Sequence, residues 1–165
     1  MVLEKRVAGD CFIRVQGKVQ GKFVGEAHDR EFEGAIDVET WHWGGSRALG
    51  SAMRQKSALA LSELAFTHRV DAASVQLLSA LANAESCKAE LTMRRAGGEA
   101  QKFLAIRLEN VLLTEVQLEF VEPGKLPLES VKLSFEKIEV EYTMQAGTGA
   151  KAVTKTWNHE LRAVA

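Results

Sequence analysis

The sequence predicts a single domain of mostly β structure, built as a two-sheet β-barrel or sandwich with one flanking α-helix. Three observations support this prediction. Several segments alternate between apolar and polar side chains, only one segment has helical spacing, and turns containing glycine or proline separate them. The 165 residues, 46% of them hydrophobic and 26% charged, are enough for one core, so we take 1–165 as one domain.

The first two predicted strands differ in the regularity of their alternation. Residues 11–16 alternate throughout, whereas residues 35–43 change phase near Glu39 and Thr40. This change predicts either a bulge or strong bend, or a strand that is apolar on both faces and docks against a partner. The segment Gly44–Lys56 has three glycines and weak periodicity, which predicts a long flexible loop.

The middle of the chain contains the predicted helix. Residues 64–70 alternate as a half-buried strand does. Residues 71–86 then change to three- and four-residue apolar spacing, which predicts a helix with Asp71 or Ser74 as its N-cap.

A hairpin is predicted after the helix. Residues 88–94 alternate, and Ala96-Gly97-Gly98 can form the turn. The return arm, residues 102–120, is too long for one ordinary strand, so we expect it to break or bend between Asn110 and Glu115.

The last third predicts two more strand regions. A proline-containing loop, residues 121–127, precedes an alternating stretch over residues 130–142 that shifts phase at Lys137. Residues 146–150 are typical of a flexible linker, and residues 153–157 predict a last strand.

Composition excludes several classes of partner. The formal net charge is −1 and the Lys and Arg residues are not clustered, so we expect no binding to nucleic acid and no membrane insertion. The N-terminal segment lacks the apolar stretch of a signal peptide, so we expect synthesis and assembly in the cytoplasm. Cys11 and Cys87 are predicted to be unpaired.

The histidines do not predict a metal site. They lie in four different segments without local ligand spacing, and His68 is expected to be a hydrogen-bonded core or interface residue. We therefore predict no metal and no cofactor. The four residues are His28, His42, His68 and His159.

Candidate catalytic motifs are weak. Residues 44–48 lack the final glycine of a nucleophile elbow, and the glycines at 97–98 join two strands instead of preceding a helix. Glu136, Glu139 and Glu141 could supply paired carboxylates, but charge on the wet face of a strand explains them better. We predict that the chain is not an enzyme.

Trp41 and Trp43 lie on one face of the second predicted strand. They could form a platform on which a sugar stacks. Two tryptophans on one strand face are more often core residues or subunit contacts, which is the interpretation we favour.

Several segments follow one another in a characteristic order: DCFIRVQG, IDVETWHWG, LAFTHRVDAASVQLLSALA, LTMRRAGGEAQKFLAIRLENVLL, SVKLSFEKIEVEY and AVTKTWN. This ordered set resembles the haemolysin-coregulated protein (Hcp, TssD) family of type VI secretion over nearly the whole chain. The family commonly has proline after the helix-initiating serine, where this chain has Val75, so the first helical turn lacks that restraint.

This resemblance implies a structural subunit of a type VI inner tube, in which hexameric rings stack and can carry effectors in the lumen. The implied partners are other copies of the chain and the sheath, spike and small effector proteins of the apparatus. Export with the tube needs no signal peptide. The phase-shifted strands would then give each subunit two contact surfaces.

The expected subunit interface comprises Trp41, Trp43, Arg47, Arg54 and Lys56. The last three are included because the predicted loop is basic and contains no acidic residue with which they could pair.

Three alternative functions remain at this point. The chain could be a tail-tube protein of a phage-like contractile particle, a small lectin-like binding module, or an enzyme with a polar pocket.

Overall fold

The computed structural model describes residues 9–48, 58–95, 101–145 and 152–161, which form twelve strands and one helix. The elements are β1 (Cys11–Gly17), β2 (Gly21–Lys22), β3 (Ile36–Asp37), β4 (Thr40–His42), β5 (Gly45–Arg47), β6 (Leu59–Leu61), β7 (Leu64–Arg69), α1 (Ala73–Asn83), β8 (Cys87–Arg94), β9 (Lys102–Glu119), β10 (Leu128–Ser134), β11 (Lys137–Thr143) and β12 (Thr154–Glu160).

Two antiparallel sheets share strand β9. Sheet A has the order β12-β11-β9-β8-β1, with the short β2 and β3 along the far edge of β1. Sheet B has the order β9-β10-β7-β4. The predicted two-sheet, mostly β class with one helix is therefore confirmed in its sandwich form. Within the described ranges the strand path does not close into a barrel.

Strand β9 corrects the prediction of a break between Asn110 and Glu115. It is one strand of 18 residues, bent by a positive φ of 51° at Asn110 and by a register shift opposite Lys132 and Leu133. Its first half pairs with β8 and β11 in sheet A, and its second half pairs with β10 in sheet B.

Each change of phase in the sequence marks a crossing between sheets. The shift at Lys137 lies where the chain passes from β10 to β11, and Glu136 N donates to Glu109 O at that bend. The change at Glu39 separates β3, paired with β1, from β4, paired with β7. The bend alternative for residues 35–43 is thus confirmed.

The helix begins at Ala73 with Ala72 as its N-cap, which has no side-chain cap hydrogen bond, so the prediction of Asp71 or Ser74 as the N-cap is wrong. Both residues nevertheless form hydrogen bonds at the start of the helix. Asp71 Oδ1 accepts a hydrogen bond from Ala73 N, and Ser74 Oγ accepts one from Asp71 N. Leu77 of the helix is fully buried between the sheets. The core against which it packs is apolar and includes Ile13, Leu64, Phe66, Leu91, Ile106, Leu108, Val131, Leu133 and Ile138.

The two cysteines are unpaired, as predicted. Cys11 lies opposite Met93 on β8, six residues from Cys87, which corresponds to about 20 Å along a strand. Burial raises the pKa of the Cys11 thiol to about 12 and that of Cys87 to about 11. Both thiols are therefore weak nucleophiles.

Candidate assembly surfaces

The predicted interface tryptophans lie against the core of their own chain. Trp41 is opposite Phe66 on β7, and both Trp41 and Trp43 are partly buried. The Trp43 ring lies 6.5 Å from Phe135 and 6.2 Å from Trp157, measured between centroids. Only part of each indole surface is therefore available to a neighbouring subunit.

The predicted loop Gly44–Lys56 begins as a strand, which corrects that part of the prediction. Within the described ranges, strands β5 and β6 pair only with each other, and Arg47 stands opposite Leu59. Gly44 and Ser62 close the base of this hairpin through two hydrogen bonds. Arg47 is exposed on it, whereas Arg54 and Lys56 lie outside the described residues.

Sheet A extends beyond the core at its β12 edge. One row on its inner face passes from Ile106, 2% exposed, through half-buried Val140 to Trp157, 45% exposed. The same inner face leaves further apolar side chains uncovered. We define the β12 patch as Tyr142, Met144, Val153 and Trp157, with Lys155 between them.

Sheet B extends beyond the core at the opposite end, where β9 is its edge strand. Leu118 shares an inner-face row with the buried residues His68 and Glu129, yet it is 49% exposed. Phe120 continues that face two residues later and is 69% exposed. We define the β9 patch as Leu118, Phe120, Val121 and Leu126.

The outward face of sheet A is polar and internally paired. Arg107 donates to Glu90, Glu139 and Glu141 at 2.9, 2.6 and 3.0 Å. Burial alone would lower the pKa of the Arg107 guanidinium, but these carboxylates together raise it. Glu136 accepts from Asn110 Nδ2. The carboxylates considered for acid/base chemistry are thus hydrogen-bonded on a wet strand face.

A groove of about 520 Å³ crosses the same outward face, between strands β1, β8 and β9 and residues 22–34. Its walls carry both signs of charge, including Arg14, Lys88, Glu90 and Arg107. Three of these residues bind partners within the chain, since Arg14 donates to Glu31 O and Glu90 accepts from Arg107. The groove therefore combines charged and apolar lining residues, and the described residues that line it do not include an assembled nucleophile and base.

Arg94 of the Arg-Arg-x-Gly-Gly segment fixes residues 23–35 onto sheet A. It is almost completely buried, donates to Asp29 at 2.6 and 3.0 Å and to Asp10 at 2.8 Å, and lies over the rings of Phe12 and Phe32. The hydrogen bond from Arg94 is the largest of the contacts that hold the pKa of Asp29 below its ordinary value. Sequence reasoning identified the motif without this role.

His68 is a hydrogen-bonded core residue, as the sequence predicts. Its side chain is buried, with Nε2 2.6 Å from Glu129 Oε1. His28 and His42 are exposed, and the His159 ring stacks on Trp157 at 5.8 Å. Among the described residues, no group of three His, Cys, Asp or Glu side chains is placed to hold a metal ion.

In the part of the chain that the structure describes, no helix has both the length and the apolar character needed to cross a bilayer.

Comparison with known proteins identifies similar chains. Residues 12–142 match the family model described as "Type VI secretion system effector, Hcp". The protein hcp1 of Pseudomonas aeruginosa is 32% identical over 160 residues, covering 92% of this chain and 96% of that protein.

Solved structures show the same fold. A type VI secretion system effector from Yersinia pestis superposes with a TM-score of 0.73 at 24% identity, covering 92% of this chain and all of the other. Hcp1 of Salmonella typhimurium gives a TM-score of 0.69 at 24% identity, covering 92% and 94% of the two chains.

Proposed function

Because this chain belongs to the Hcp family of type VI secretion system effectors, we propose that it is a structural subunit of the inner tube of such a system. Six copies form a ring, rings stack into a tube, and the lumen can carry small effectors. The sheath and spike proteins of the apparatus are its other partners. The chain assembles in the cytoplasm, leaves the cell with the tube, and catalyses no reaction.

The β5–β6 hairpin is the observation that supports this proposal. A two-stranded hairpin is marginally stable by itself in water, and the described residues of this one form no strand pairing with either main sheet. Leu59 is partly exposed on it beside Arg47. A surface of this kind gains stability by contact with another molecule, so we place the stacking contact between rings here.

Electron microscopy of purified protein tests the proposal. We expect rings with an open centre and, at higher concentration, tubes. In a variant whose residues 48–58 are replaced by Asn-Gly, Arg47 and Leu59 still face each other across a two-residue turn. This variant should unfold at nearly the parent temperature and form rings but fewer tubes.

The outcomes separate the two parts of the proposal. Parent protein that never forms rings contradicts the tube function. A variant that forms as many tubes as the parent contradicts only the stacking role of the hairpin. Membership of the Hcp family favours type VI secretion over a phage-like tail tube, and the neighbouring genes distinguish the two.

A further inference from the structure

We propose that successive copies of the chain join by packing the β12 patch of one copy on the β9 patch of the next. The inference rests on the proposed function, because it describes how a ring of this subunit is held together. The proposed contact names the two surfaces that meet. Neither the family match nor the fold comparison identifies these surfaces.

The first reason is that both patches are continuations of core-facing sheet surfaces. A sheet with one apolar face needs a second layer against that face. Among the described residues, no second layer covers the exposed part of sheet A at Trp157 or of sheet B at Leu118 and Phe120. If the two patches pack together, each supplies the layer that the other lacks, and the core continues from one copy into the next.

The second reason is the charge around each patch. Lys155 lies within the β12 patch, and Arg95 beside it donates to the Tyr142 hydroxyl at 3.3 Å. The β9 patch is bordered by Glu119, Glu122 and Lys125, and by Arg69, which donates to Leu126 O and pairs with Glu39, so that its surroundings carry more acidic than basic groups. Contact between unlike patches therefore brings opposite charges together, whereas contact between like patches brings equal charges together.

Pairing of unlike patches has a geometric consequence. It is a heterologous contact, which leaves one patch free at each end of any open chain of copies. A closed ring or an endless filament covers every patch, and so would a two-fold dimer if both contacts could form between the same two copies. Tyr142 of the β12 patch stands opposite Leu104 near the start of β9, whereas Leu118 of the β9 patch lies near the end of that strand, so the two patches are far apart. The proposed contact is thus of the kind that a ring subunit needs.

Two single substitutions test the contact. Phe120→Glu disables the β9 patch and leaves the β12 patch intact, and Lys155→Glu does the reverse. Both side chains are exposed, so the fold should tolerate the changes. The matched controls are Val75→Glu, at a 73% exposed valine on the outer face of α1, and Lys18→Glu, at an exposed lysine on the β1–β2 turn.

The readout is the mass of the full-length chain in solution, at a concentration where the parent assembles. Each patch variant alone should be a monomer, while both controls keep the parent mass. An equimolar mixture of the two variants should form a one-to-one heterodimer and no ring, since one intact β12 patch meets one intact β9 patch. Thermal unfolding of each variant confirms that it is folded, and Leu126→Glu and Val153→Glu replace any variant that is not.

Three results would overturn the inference. The first is a patch variant that keeps the parent mass, and the second is a stable dimer of either variant alone, which would show contact between like patches. The third is a mixture that remains monomeric. In each case rings of the parent would still support the tube function, whereas a parent that does not assemble would contradict the tube function itself.

Discussion

His68 and Glu129 form a polar pair inside an apolar core. Both side chains are fully buried, and beside their 2.6 Å contact His68 Nδ1 and Glu129 Oε2 have no hydrogen-bond partner among the described residues. An oxygen of Asp71, beside the start of α1, lies 3.9 Å from His68 Nδ1. A buried pair with unsatisfied atoms contributes little net stability, but removing one member leaves the other buried without its partner.

We predict that His68→Ala lowers the free energy of unfolding by about 3–5 kcal/mol, because Glu129 then stays buried alone. Replacing both residues, His68→Phe with Glu129→Leu, should recover most of this loss. Arg69→Ala, which removes a partly exposed pair with Glu39, should cost no more than about 1 kcal/mol. Urea unfolding measures all three. Equal losses for the single and double variants would show that the cost arises from packing and not from the unpaired carboxylate.

Strand β9 organises the fold at the scale of elements, because it is central in sheet A and an edge strand in sheet B. Its bend depends on Asn110, whose φ of 51° lies in the left-handed region and whose side chain donates to Glu136. Asparagine adopts this conformation more readily than other non-glycine residues, and β-branched residues adopt it least.

We therefore predict that Asn110→Val lowers the free energy of unfolding by about 1–2 kcal/mol through backbone strain. Asn110→Gly loses the hydrogen bond to Glu136 but relieves the strain, so its loss should be clearly smaller. Thermal unfolding of the two variants beside the parent measures the difference. Similar losses for valine and glycine would assign the effect to the hydrogen bond.

Elements with regular periodicity were predictable from the sequence. The alternation of residues 11–16 and the helical spacing after Asp71 depend on local pattern, and both are confirmed. Strand β9 was predicted as two pieces because each bulge reverses the parity of the side chains. Strand β5 was missed because Gly-Ser-Arg has no apolar alternation.

The candidate surfaces were harder to predict than the elements. Trp41 and Trp43 are recognisable as a pair, but their partial burial follows from Phe66 and Phe135, which are distant in sequence. The exposure of Trp157 arises because sheet A extends beyond the core at β12. Such an offset between sheets is a property of the packed molecule, and no local pattern encodes it.

At the scale of the whole molecule, the sandwich leaves two apolar patches at different edges and a hairpin outside both sheets. Exposed apolar patches, as distinct from single exposed apolar residues, commonly mark contact surfaces. In the proposed tube, the two patches contact neighbouring subunits within a ring, and the hairpin contacts a subunit of the next ring. The Hcp family provides the setting in which these contacts have a use.

Measuring the mass of the full-length protein in solution, by native mass spectrometry and light scattering across the micromolar range, tests the tube function most directly. We predict a particle of six subunits that persists on dilution within that range, because each subunit would be held on two sides. A stable monomer throughout the range would contradict the assignment of this chain as a tube subunit.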